Sequence, residues 1–221
     1  MIKRTKINMM LIIGLLLTLI LAGCDNTDYK TRIQQENDRK NYSGNKSACL
    51  IVGNLRQNDY PYTIKYLVGE IDPKNPHDKI DNNNWLNIKL SLFAKEGLFT
   101  EEVIGYDGDK PLYRYDLTDE GRKYVDWWGG TNFCFGRIVV DSIRDVENSQ
   151  DGDNLRRVYF LYHLENIPTW VQNKAIYSMY PGYGDIEAAV TGKQARGTHY
   201  YRFNSNNELK LIRRESGIYV P

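Results

Sequence analysis

The apolar run Met9–Ala22 sets the conditions under which the rest of the chain folds. Lys3, Arg4 and Lys6 precede it, and only Gly14 and Thr18 interrupt it. Its length is that of a secretory signal segment and falls short of the roughly 20 apolar residues that span a bilayer. A plain transmembrane anchor is the alternative. Under the secretory reading the fold begins after residue 23, in an exported compartment. The roughly 200 residues that follow suffice for one domain with a real core, or two small ones.

The end of the run carries the sharper signal. Leu21-Ala22-Gly23-Cys24 looks like a bacterial lipobox, in which the cysteine thiol is alkylated by diacylglycerol and the peptide is cut just before it. Small Ala22 and Gly23 suit a narrow peptidase cleft, and the thiol lies where the lipid donor is. Each buried acyl methylene contributes about 0.8 kcal/mol, so two or three chains anchor stably where one does not. The expected partner of Cys24 is therefore a membrane. Asp25 follows the cysteine and favours the periplasmic face of the inner membrane in an enteric-type host, the outer membrane being the alternative.

Removing Lys3, Arg4 and Lys6 from the 29 bases leaves 26 against 28 acids, so the exported chain is near −2. This lacks the basic excess of a nucleic-acid-binding domain, and no nucleic-acid partner is expected. Residues 24–46 are polar and read as the lipidated cysteine and a flexible tether, with a short solvated helix through Thr31–Lys40 conceivable. Export makes Cys49 and Cys134 a candidate disulfide, two separate buried thiols being the alternative.

Local patterns divide the remainder into 47–130 and 131–221. Ser47–Leu55 reads as a helix start capped by Ser47, Thr63–Ile71 as helix or strand, and Asp72–Asn84 as a loop. Trp85–Phe99 has apolar residues at helical spacing, Asn84 as a cap and Gly97 as a terminator. A hairpin with its turn at Asp107–Lys110 follows, then a helix over Asp119–Trp128 capped by Thr118. This order resembles a winged helix over 85–125. The resemblance transfers no function, since the would-be wing tip carries Asp107 and Asp109. Phe133–Val146 and Leu155–Glu165 alternate as a long hairpin. Pro168 opens a helix through about Met179, Asp185 another through Val190, and His199–Phe203 with Glu208–Ile212 close the chain as a hairpin. The expected class is α+β: a winged-helix-like first half, then an antiparallel sheet with helices packed on one face.

Chemistry-bearing motifs are scarce. His77, His163 and His199 fall on separate elements, no HExxH, CxxC, G-x-S-x-G or P-loop occurs, and the acidic pairs Asp107/Asp109 and Asp151/Asp153 sit in turns. No metal or cofactor is expected. Tyrosine is abundant, 17 in all. Trp127-Trp128-Gly129-Gly130 and Tyr180-Pro181-Gly182-Tyr183-Gly184 set large rings beside glycine, as binding loops do. Trp127, Trp128, Tyr180 and Tyr183 are thus candidate ligand or partner contacts, core packing being the alternative.

The stretches "YDLTDEGRKYV", "FCFGRIVVDSI" and "VYFLYHLENIPTW", scattered between Tyr115 and Trp170, resemble a group of small gammaproteobacterial envelope lipoproteins of the CpmJ/CpmK type. That resemblance implies a non-enzymatic envelope lipoprotein, a self-protection or ligand-binding factor, and carries over no site residue. The expected function is a membrane-anchored lipoprotein with a periplasmic binding or interaction domain and an unknown envelope ligand or protein as partner. The alternatives are an envelope hydrolase acting on cell-wall material and a structural or stress lipoprotein.

Overall fold

The computed structural model describes residues 24–39, 45–64, 79–108, 110–148, 155–180, 183–205 and 208–216. The architecture is α+β, with five helices and three antiparallel sheets among the described residues. The first sheet has the order β1-β6-β5, formed by β1 (Ala48–Gly53), β5 (Val125–Asp126) and β6 (Thr131–Phe135). Segment 48–53 is therefore a strand and not the helix start that Ser47 suggested. Its run Cys49-Leu50-Ile51-Val52 is apolar and partly β-branched, and pairing against the wholly buried β6 outweighs the local capping signal. Cys49 and Cys134 are direct cross-strand partners in this ladder and are joined as a disulfide, with Cα atoms 4.0 Å apart.

β1 is an edge strand. The Ile51 carbonyl accepts from Lys89 Nζ at 3.2 Å and from the Tyr180 hydroxyl at 2.9 Å. Two side chains thus occupy an acceptor that would otherwise invite another strand. Lys89 comes from α2 (Lys79–Lys95), a helix that begins inside the segment expected to be a loop; Asn84 lies within it and not at its start. The part of that loop before residue 79, and the end of Thr63–Ile71 beyond residue 64, lie outside the described residues. Leu90 and Phe93 are buried as their spacing predicted, whereas Trp85 stands exposed.

β2 (Tyr62–Ile64), β3 (Phe99–Asp107) and β4 (Lys110–Leu117) form the second sheet in the order β2-β4-β3. Thr118 then caps α3 (Asp119–Tyr124), accepting from the Gly121 amide at 3.0 Å and donating to the Gly97 carbonyl at 2.6 Å. A Cβ at Gly121 would lie 2.1 Å from the Leu98 carbonyl oxygen, so helix and hairpin pack this closely only through glycine. The helix stops at Tyr124 instead of Trp128, because Val125 and Asp126 leave it to pair with β6.

Phe133–Val146 is broken at Gly136, whose φ of 63° turns the chain from β6 into β7 (Arg137–Asn148). With β8 (Leu155–Glu165), β9 (Ala195–Phe203) and β10 (Leu209–Ser216), β7 builds a meander in the order β10-β9-β8-β7. Val158, Phe160, Tyr162 and Leu164 alternate inward along β8. The helix expected after Pro168 is split into a 3-10 turn, Thr169–Gln172, and α4 (Lys174–Tyr177), because Asn173 interrupts it and caps the Ala175 amide at 2.9 Å. The turn buries Trp170, whose ring meets Phe93, Tyr124, Phe133 and Phe135 edge-on. One continuous core therefore joins the two halves, and a division at 130/131 falls inside the first sheet's loop. The next helix, α5 (Tyr183–Val190), begins two residues before Asp185 and buries Ile186, Ala189 and Val190.

The segment read as a flexible tether contains α1 (Cys24–Arg39), which buries Tyr29 and Ile33 against the domain. These two apolar residues, four apart, are one helical face. Sequence reading missed them because the surrounding composition is so polar. Polar side chains complete the docking along the edge of β7. Gln34 donates to the Ile138 carbonyl (2.9 Å) and accepts from the Val140 amide (2.8 Å), imitating a ladder rung. Asp38 pairs with Arg137 through two bonds of 3.0 Å, which hold its carboxyl below the usual range. Lys30 donates to the Asp141 carbonyl and Arg32 to the Leu209 carbonyl. Beneath the helix, Glu36 accepts from the buried Tyr201 hydroxyl at 2.9 Å.

Candidate functional site

A cleft of about 720 Å³ opens between two loops that leave the first sheet. Asn54, Arg56, Gln57 and Asn58 line one side; Trp127, Gly129 and Gly130 line the other. The volume falls within the range of small-molecule sites, about 300–1,000 Å³.

The loops are held from behind. Asn132, buried in β6, donates its amide to the Trp128 carbonyl (2.8 Å) and the Gly130 carbonyl (3.1 Å). Asp126 accepts from the Trp128 amide at 2.8 Å. Thr131 ties this loop to the other by donating to the Leu55 carbonyl at 2.8 Å. Gly130, at φ 138°, lies so close to Gly53 that a Cβ would stand 2.4 Å from the Gly53 oxygen. On the opposite side the Arg56 amide donates to the Asp59 carboxylate at 2.7 Å, closing a short 3-10 turn over Gln57–Asp59. Tyr60 packs its ring against Phe99 and Trp127, and its hydroxyl meets Thr131 Oγ1 at 2.9 Å. Burial pushes that hydroxyl up to about 12, against the opposing effect of the Thr131 bond, so it remains protonated at neutral pH.

The cleft thus offers one indole wall, three exposed side-chain amides and a guanidinium that has no ion-pair partner among the described residues. Amides both donate and accept, and a guanidinium donates in a fork. The arrangement suits a ligand rich in hydroxyl, amide or carboxylate oxygens with a face that can lie on a ring.

The four candidate contacts separate. Trp127 lines the cleft, and Trp128 stands between two lining residues with 66 % of its surface exposed. Tyr180 closes the seam between α2 and β1 through its bond to Ile51 and carries the Lys89 ammonium 4.8 Å from its ring centroid. Burial raises the pKa of the Tyr180 hydroxyl and lowers that of the Lys89 ammonium. Tyr183 opens α5, and its side chain lies outside the described residues, as does that of Cys24. Asn54, Arg56, Gln57 and Asn58 were missed in the sequence because Ser47–Leu55 was read as helical. A polar "NLRQND" directly after an apolar β-branched run is the signal that marks them as a loop.

A second polar group sits on the meander. His163 Nδ1 and Asp141 Oδ1 are 2.7 Å apart, and Gln194 donates to the other Asp141 oxygen at 3.0 Å. Among the described residues no serine, threonine or cysteine side chain bonds the other nitrogen of His163. His199 is buried elsewhere, and no group of three or more metal-ligating side chains occurs among the described residues. No described helix is long and apolar enough to cross a membrane.

Comparison with protein-family models, with curated proteins and with solved structures finds no match.

Proposed function

We propose that the chain is a lipid-anchored envelope protein whose domain binds a polar, oxygen-rich ligand in the Trp127 cleft without transforming it. The observation that carries this reading is the cleft itself: exposed amides and an indole on loops fixed by buried Asn132 and Thr131. Fixing the loops before a ligand arrives reduces the ordering cost of binding. The lipobox at Cys24 supports anchoring, and Asp25 supports the periplasmic face of the inner membrane. The Cys49–Cys134 disulfide is consistent with an oxidising compartment.

The winged-helix-like reading of 85–125 belongs to the same proposal as a scaffold. Its supports are the sequence α2-β3-β4 and the junction of β2 to β4 in the order β2-β4-β3. Glu101 and Glu102 on the exposed part of β3 disfavour phosphate contacts.

The test has two parts. Cys24→Ala should abolish acyl labelling and leave an uncleaved precursor; unchanged labelling removes the anchor. For the cleft, a soluble chito-oligosaccharide and a muramidase digest of peptidoglycan are titrated while the indole resonances are followed. Perturbation of Trp127 that disappears in Arg56→Ala, with an unchanged melting temperature, is expected. Saturating either probe without any response at Trp127 would remove these ligand classes and the cleft reading with them.

A further inference from the structure

The walls of the Trp127 cleft differ from the groups behind them. Asn54, Gln57 and Asn58 expose carboxamides that make no side-chain hydrogen bond among the described residues, and Arg56 forms no ion pair among them. Trp127 lines the opposite wall, its ring centroid 5.9 Å from that of Tyr60. The acids nearby are already occupied. Asp59 accepts from the Arg56 amide and Asp126 from the Trp128 amide. Asp116, which acts on Tyr60 together with Asp59, accepts from the Leu117 amide and stands 3.8 Å from Arg122. None of these three acids lines the cleft, so the one formal charge on its walls is the Arg56 guanidinium.

Each wall group matches a different part of a ligand. Several carboxamides side by side can serve both ends of an acylamido group, one donating to its carbonyl and another accepting from its N–H. A free amine, charged at neutral pH, would bring donors alone and meet the like charge of Arg56. A planar guanidinium takes a carboxylate through two parallel N–H bonds. An indole offers its face to the C–H face of a sugar ring.

We propose that the cleft takes an N-acylated sugar bearing a single carboxylate, and that Arg56 selects the acid. The proposal rests on the cleft reading given above and names the class of its ligand. Charge sets the limit at one. The loops carry Asp59 and Asp126 against Arg56, so the neighbourhood is not a basic patch and attracts no polyanion from a distance. A first carboxylate is held by contact with the guanidinium fork. A second would find no cation on the walls and two carboxylates behind them.

The test uses the mature chain, residues 24–221, carrying Cys24→Ser. The probes are the disaccharide of N-acetylglucosamine and N-acetylmuramic acid with its carboxylate free, the same disaccharide with that group converted to an amide, and the free acid lacking its N-acetyl groups. N-acetylneuraminate, which carries the same two groups on another sugar, distinguishes the source of the chemistry. Calorimetry gives affinities, and the Trp127 indole resonance reports occupancy. The free acid should bind more tightly than its amide by about tenfold to a hundredfold, the range of a charge-assisted hydrogen bond. In Arg56→Gln the acid should fall to the level of the amide. Arg56→Lys keeps the charge without the fork and should recover only part of the difference. The probe without N-acetyl groups should bind less tightly than its acetylated parent. Equal binding of acid and amide, or of acetylated and free-amine probes, with Trp127 still responding, overturns the proposal and leaves a cleft for neutral sugars. A preference for the acid that survives in Arg56→Gln, or tighter binding of a heparin oligosaccharide, overturns it as well. Silence at Trp127 with every probe refutes the cleft reading itself.

Discussion

Acidification should destabilise this domain through one side chain well before its carboxylates titrate. His199 is 2 % exposed, with its ring 4.9 Å from that of Phe160. Its Nδ1 lies 3.3 Å from the Tyr201 hydroxyl. That hydroxyl donates its proton to Glu36, so the neutral imidazole is the donor to the Tyr201 oxygen. Burial first, and the charge of Arg214 second, lower the His199 pKa from 6.5 to about 3. The folded state therefore refuses a proton that the unfolded chain accepts, and stability falls as pH drops below the unfolded value. The contribution is fully present above about pH 6.5 and is lost progressively towards about pH 3. Between about pH 7.5 and about pH 5 the linkage amounts to about 2 kcal/mol, rising to about 3 kcal/mol at about pH 4. Urea unfolding of the wild type and of His199→Gln at a series of pH values measures it. The variant should start less stable at neutral pH and show a flatter profile over this interval. Parallel profiles, or an imidazole resonance of His199 titrating near 6.5, would refute the reasoning.

Three further outcomes follow from packing. A Cβ at Gly197 would lie 2.4 Å from the Phe160 ring tip, so Gly197→Ala should cost about 1–3 kcal/mol in chemical denaturation, and adding Phe160→Leu should recover part of it. The disulfide closes a separation of 85 residues, so reduction, or Cys49→Ser with Cys134→Ser, should lower the unfolding free energy by about 4–5 kcal/mol in the chain-entropy model; an unchanged denaturation midpoint would show that the open chain is already confined. Asn37 is 2 % exposed on the docked face of α1, and neither amide atom makes a hydrogen bond among the described residues; Asn37→Leu should raise the melting temperature, with a gain of about 1 kcal/mol.

The second half was the more legible part of the sequence. From Val158 to Leu164 β8 alternates cleanly, and an alternating strand with one buried face has one sensible register. The hairpin of β3 and β4 announced itself through Asp107-Gly108 and the Thr118 cap. What failed was local signal overridden by distant partners. Ser47 looks like a helix cap until β6 and Cys134, over eighty positions away, pair with the residues after it. Asp119–Trp128 looks like one helix until Val125 and Asp126 find β6. The cleft was half legible: Trp127 with its glycines was visible as a loop, whereas the Asn54–Asn58 wall disappeared with the misread strand. Tyr29 and Ile33 were too sparse to outweigh their polar neighbours, so the docking of α1 was hidden altogether.

That docking has a consequence for the life of the protein. Gln34 occupies a carbonyl and an amide of β7 that lie over one hundred residues later in the chain. During synthesis the rung-imitating side chain is made first and waits for its strand; until the meander closes, the β7 border is a bare template for any other extended chain. A form shortened to begin after Arg39 would keep that border open permanently. Removing α1 would thus yield a self-associating species, because that helix is the guard of the β7 border against aggregation.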